Sequence, residues 1–244
     1  IASAAAQNRS KKYHSMARSM RLALRNFGVL GTSHRAGGLK KVASAPMPGL
    51  PFVVPTLLKF IQNGPTSIEG GAAQEVCKWL KIDEEEAFPA AVREAIQEPL
   101  QAKLHFYGQI GVIHVATPER ADIPEEQALD ELTQAHSAVL REFANARLGG
   151  LRLPPIQGAL FTAPFAARLA QLNCKALRAA FEKLPDREQQ NVSVARLEIC
   201  IDRDTHYEEY EEAFERELQL SQEYADSLNM GSTPVQPWQV GKSS

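Results

Sequence analysis

No aspartate or glutamate occurs before Glu69, yet the 68 residues ahead of it hold ten lysines and arginines. The remaining 17 of the 27 basic residues face all 29 acidic ones, so a near-neutral total of -2 conceals a basic first quarter and an acidic body. Such asymmetry points to an arm that meets a negatively charged surface, or to a targeting segment. Cysteine is also scarce: Cys77, Cys174 and Cys200 stand far apart, which excludes a disulfide framework and a thiolate metal site of short spacing. Long apolar runs are missing as well. The longest stretch without a charged residue, Val42 to Leu58, falls short of the roughly 20 residues a bilayer span needs, and Pro46, Pro48, Pro51 and Pro55 bar it from forming one helix.

Short catalytic signatures are absent too. The chain has no G-x-S-x-G elbow, no H-E-x-x-H and no G-x-G-x-x-G. Val240-Gly-Lys-Ser-Ser244 resembles the end of a phosphate-binding loop, but Gln236 stands where the first glycine belongs and no helix can follow. Asp202-Arg-Asp204 opens like a calcium loop, then places Tyr207 where glycine is required and Ala213 where the bidentate glutamate belongs. None of the six histidines pairs with another at metal-ligand spacing on a predicted helix. These readings assign no catalytic residue, no cofactor and no metal. They lower the expectation of an enzyme without excluding a site assembled from distant residues.

What is present begins with Ser15-Met-Ala-Arg-Ser-Met-Arg-Leu-Ala-Leu-Arg-Asn-Phe-Gly28. At 100° per residue, Met16, Met20, Ala23, Leu24, Phe27 and Leu30 share one arc and Arg18, Arg21 and Arg25 the other, which predicts an amphipathic basic helix. An arginine-rich, serine-bearing, acid-free helix of this kind has the composition of a mitochondrial import segment, ahead of a plastid one. If retained, it would bind an anionic lipid such as cardiolipin, or a protein partner, through Arg18, Met20, Arg21, Leu24, Arg25 and Phe27, with Phe52 from the following apolar stretch. Gly37 to Pro65 is rich in glycine and proline and reads as an extended segment lying across another surface, followed by a short helix from Thr56 to Gln62.

Beyond it the pattern turns helical. Ser67 caps a helix to Leu80, and Glu84 to Gln97 makes another, interrupted by Pro89. Pro124-Glu-Glu opens a third, with Leu129, Leu132, His136, Val139, Leu140 and Phe143 on one face. Thr162 and Pro164 begin a fourth that runs to Leu184; it pairs antiparallel with the third through the link Leu151 to Phe161. Leu104 to Thr117 is read as a strand with the helical alternative open, and Val192 to Ile201 as a strand. Asp204 to Met230 forms the last helix, its outer face dense in glutamate.

The expected fold is therefore mainly α: an irregular basic and Pro-rich arm over 1–65, an acidic, mainly helical domain over 66–230 with one or two short strands, and a polar tail over 231–244. The expected function is a non-catalytic accessory subunit of a large mitochondrial assembly on the matrix side of the inner membrane, an ATP synthase or respiratory complex, with other subunits as partners. The alternative is a mitochondrial ribosomal protein whose arm contacts rRNA, a weaker reading because the body is acidic. A small matrix enzyme with an unrecognised site is the third.

Overall fold

The computed structural model describes residues 20–35, 38–64, 71–83 and 87–218. Its first element is a strand, β1 (Arg21–Arg25), in which Leu22 and Leu24 alternate with Arg21, Ala23 and Arg25, a period of two. Gly31, at φ 78°, then turns the chain so tightly that an added Cβ would lie 2.5 Å from the Ala43 carbonyl oxygen. The turn leads into an antiparallel ribbon of β2 (Thr32–Arg35) and β3 (Gly38–Lys41). An apolar run follows as β4 (Phe52–Thr56), then come α1 (Leu58–Asn63), α2 (Gly71–Leu80) and α3 (Ala90–Ala95).

A hairpin of β5 (Ala102–Tyr107) and β6 (Ile110–Ala116) turns at Gly108. The longest helix, α4 (Glu125–Ala146), starts behind Pro124 with Glu125 and Glu126 in its first turn, where they favour the positive end of the helix dipole. It ends at Arg147 in the left-handed region. After it come β7 (Gly150–Leu153), two short 3-10 turns, α5 (Leu169–Glu182), α6 (Asp186–Val194), β8 (Arg196–Cys200) and α7 (Asp204–Leu218).

Six of the strands form one sheet in the order β1-β8-β7-β4-β6-β5, parallel except for the edge strand β5. From β4 the chain moves outward to β6, then returns through α4 to lay β7 on β4's other side. Strand order therefore reverses at β4. The sheet separates two packed layers. Val53, Ile113, Val115, Leu151, Leu153, Leu197 and Ile199 point into a large core with α4, α5 and α7, filled by Leu132, Leu140, Phe143, Leu177 and Phe214. Phe52, Val54, Val112 and Cys200 point to the opposite face, against Val29, Leu30 and Val76 of α2. A small cluster of Ile61, Val92, Ile96 and Ala116 closes the flank.

This architecture corrects the mainly α expectation: it is a three-layer α/β fold. Strands buried on both faces read as short unbroken apolar runs, which periodicity cannot separate from helix. The described part of the expected amphipathic helix is β1; Leu22, the one apolar residue off the helical stripe, is buried. The arm of the expected layout is likewise not irregular throughout, since β1 and β4 pair with strands from residues 110–200. The fourth helix begins seven residues later than expected, at Leu169, behind the 3-10 turns. The expected antiparallel helix pair is also corrected. The link between them contains β7, so α4 and α5 are successive crossovers that run the same way, with Arg168 at the head of α5 paired to Glu125 at the head of α4. The open segment 104–117 is a β-hairpin. The expected tail, and residues 219–230 of the last helix, lie outside the described residues.

Candidate functional site

The carboxyl ends of β1, β8, β7, β4 and β6 open together into a cleft of about 500 Å³, walled mainly by apolar side chains. Each strand stops there for a local reason. Thr56 ends β4 directly after Pro55, which lacks the N–H needed to continue the ladder. Thr117-Pro118 follows β6, Pro154-Pro155 follows β7, and Asp202 stands two residues past the end of β8.

The loop after β7 is firmly held. Asn173 on α5 accepts the Ile156 N–H at 3.0 Å, donates to the Leu169 carbonyl at 3.0 Å and meets His136 Nε2 at 3.3 Å. Ala159 N–H donates to the Pro118 carbonyl at 2.9 Å. Gly158 makes this closure possible, with φ at 54° and a would-be Cβ only 2.3 Å from the Pro118 oxygen and 2.6 Å from Thr117 Oγ1.

Polar groups facing the cleft are few. Asp202, Arg203 and His206 line it where β8 leads into α7. Thr56 and Thr117 line the floor; both are buried, and neither Oγ1 has a hydrogen-bond partner. A buried hydroxyl left unpaired costs about 1–3 kcal/mol. The Cys200 thiol also borders the cleft, and burial raises its pKa far above the ordinary value, so it is not a poised thiolate. Aromatic surface comes from Phe60 and from Phe161, which is 62% exposed at the mouth.

The residues expected to bind a membrane or partner are placed elsewhere. Arg18 lies outside the described residues. Met20 and Leu24 pack against the large core, and Arg21 is exposed on the sheet edge. Arg25 donates to Glu198 at 3.1 Å, Phe27 lies 5.2 Å under the Arg152 guanidinium, and Phe52 is fully buried in β4. The cleft groups were missed because they are scattered over the chain and match no contiguous motif. One signal was available: four apolar runs each ended by proline, threonine or aspartate, as in Val53-Val-Pro-Thr56 and Leu151-Arg-Leu-Pro-Pro155.

No protein-family model matches this chain, and no curated protein matches it in sequence. Solved structures do. The macro domain of ganglioside induced differentiation associated protein 2 superposes with a TM-score of 0.51 at 12% identity, over 82% of this chain and 86% of that one. A mutant Oceanobacillus iheyensis macrodomain gives a TM-score of 0.48 at 14% identity, over 83% and 95%. A Trypanosoma brucei macrodomain in complex with ADP-ribose gives 0.46 at 14% identity, over 79% and 68%.

The first of these likenesses carries the fold, and with the sheet it overturns the expected helical accessory subunit. The expectation of a protein without catalytic function goes with it: the chain is built around a ligand-sized cleft on a macro-domain-like sheet, not as a scaffold of helices.

Proposed function

We propose that the chain binds ADP-ribose, or a close relative among nucleoside diphosphate sugars, in the cleft at the carboxyl ends of the strands. The supporting observation is the cleft's position where strand order reverses at β4, the place where open α/β sheets hold their ligands. Its volume suits a ligand of that size. Its lining suits the parts of one: Phe60, Phe161, Leu57 and Val76 give apolar walls for a base, and Arg203 and His206 offer positive charge or hydrogen-bond donors to phosphate. ADP-ribose is the first ligand to try because a macro domain of similar fold has been solved with it.

Asp202 and His206 stand at the same rim and are of the residue types that move protons in hydrolysis. One experiment therefore reads binding and turnover together. Titrating the full chain with ADP-ribose in a calorimeter should give saturable binding, and chromatography of the same mixture after incubation reports any cleavage. No saturable heat up to millimolar ligand overturns the proposal.

A further inference from the structure

We propose that Asn173 is a positioning residue for the cleft: backed by His136 on α4, it holds the loop after β7 in the shape the ligand needs without touching the ligand. The inference rests on the nucleotide reading above and adds how that site is kept ready. Asn173 is buried on α5 and does not line the cleft. Its amide makes three contacts, and together they leave one orientation. The Ile156 N–H only donates, so the atom it meets at 3.0 Å is the oxygen Oδ1, and Nδ2 donates to the Leu169 carbonyl at 3.0 Å. His136 Nε2 meets the same oxygen at 3.3 Å, so the ring carries its proton on Nε2. Burial keeps that ring neutral.

The loop depends on this oxygen because of its own sequence. Ile156 is fully buried, whereas Pro154, Pro155, Gln157, Gly158 and Phe161 around it line the cleft. The two prolines have no N–H, so the Ile156 amide is the first after β7 that can anchor the chain, and it goes to Asn173. Further on, the Ala159 N–H donates to the Pro118 carbonyl at 2.9 Å. These bonds clamp the loop at two points, one against α5 and one against the loop after β6. Without Asn173 the Ile156 N–H becomes a buried donor with no partner, and the segment must shift to find one. The cleft wall moves with it, and a ligand then spends binding energy on restoring that wall.

The test uses the full chain and three variants: Asn173→Leu, which keeps the bulk and removes the polar atoms; Asn173→Asp, which keeps the accepting oxygen; and Leu172→Ala, a cut at a buried neighbour on the same helix. Without ligand, amide exchange of residues 156–161 should quicken about tenfold in Asn173→Leu relative to β4 and β8, whereas Leu172→Ala should loosen loop and strands together. Calorimetry should show ADP-ribose binding about tenfold weaker in Asn173→Leu and restored in Asn173→Asp. Nitrogen NMR of wild type should find His136 neutral with its proton on Nε2. That arm stands whether or not Asn173→Leu folds, and a proton on Nδ1 overturns the arrangement. A loosened loop with unchanged affinity, or the same selective loosening in Leu172→Ala, overturns the positioning role and leaves the nucleotide reading intact. If wild type binds no ADP-ribose, the nucleotide reading fails and the positioning role fails with it, even where exchange shows the loop pinned.

Discussion

Beneath α4, α5 and α7 the sheet is closed chiefly by aliphatic and aromatic side chains, whereas its opposite face carries an ion pair at its centre. There Arg152 on β7 donates to Glu198 on β8 at 3.0 Å, and Arg25 and Arg196 add contacts to the same carboxylate at 3.1 and 3.0 Å. Arg152 also reaches the Val29 and Ser44 carbonyls, each at 2.9 Å, and covers the Phe27 ring. The face under α4, α5 and α7 is thus held by apolar area, whereas the other face adds to its smaller apolar cluster one guanidinium that ties Phe27, Val29 and Ser44 to the sheet. Where a thin layer has little apolar surface to bury, a hydrogen-bonded buried charge fixes the path of the chain instead, at a desolvation cost that makes it intolerant of losing one partner.

The sharpest way to break this comparison is to cut each face at its centre. Phe143→Ala should cost about 3–5 kcal/mol by opening a cavity under α4. Arg152→Met should cost a similar amount, about 3–5 kcal/mol, by leaving Glu198 buried with too few partners. The two should differ in kind: in amide hydrogen exchange, Arg152→Met should loosen residues 25–44 selectively, while Phe143→Ala should lower protection across the whole sheet. Identical exchange patterns would show that the two faces do not differ as described.

Each face also buries a neutral histidine. His114 on β6 is pushed down to about 3 by burial and then by the charge of His105, with its Nε2 hydrogen-bonded to Tyr107 at 3.0 Å. His136 on α4 is pushed down to about 4 by burial, against an opposing hydrogen bond from Asn173. In the unfolded chain both titrate near 6.5. Below that pH the unfolded state takes up protons that the folded state refuses, so stability falls with pH, approaching about 1.4 kcal/mol per pH unit for each histidine until its folded value is passed. Urea denaturation between pH 7.5 and 4.5 should show this slope, and His114→Gln should remove about half of it. An unchanged slope in that variant would mean His114 is not held neutral.

Smaller effects follow at the loop and the surface. Gly158→Ala should cost about 1–3 kcal/mol, because its left-handed backbone and the contact with Pro118 both resist a methyl group. Lys40→Gln, on the exposed ribbon strand, should change stability by less than about 0.5 kcal/mol. Thermal melts of the two variants compare a built position with a solvated one.

The same division explains what could be read in the sequence. The stripe of α4 was legible because a long surface helix repeats its pattern over many turns. β1 was not: Arg-Leu-Ala-Leu-Arg is short enough to satisfy a helical arc as well as a strand, and the charge asymmetry around it suggested a free arm. Its partner is β8, whose Glu198 lies 173 residues away from Arg25, and no local pattern carries that information. β4 and β7 were hidden by being buried on both faces, and β6 was read only as a strand with a helical alternative for the same reason. Of the cleft, only Asp202 to His206 drew notice, as a failed calcium loop; Thr56 and Thr117 become neighbours only through strand pairing.

The most direct test of the central claim, that the carboxyl edge of the sheet is a nucleotide site, is amide hydrogen exchange of the full chain with and without saturating ADP-ribose. Protection should rise together in residues 54–57, at Thr117, and in residues 156–161 and 201–206, segments far apart in the chain that share only the cleft. Protection confined to other surfaces, or none in these four segments, would contradict it.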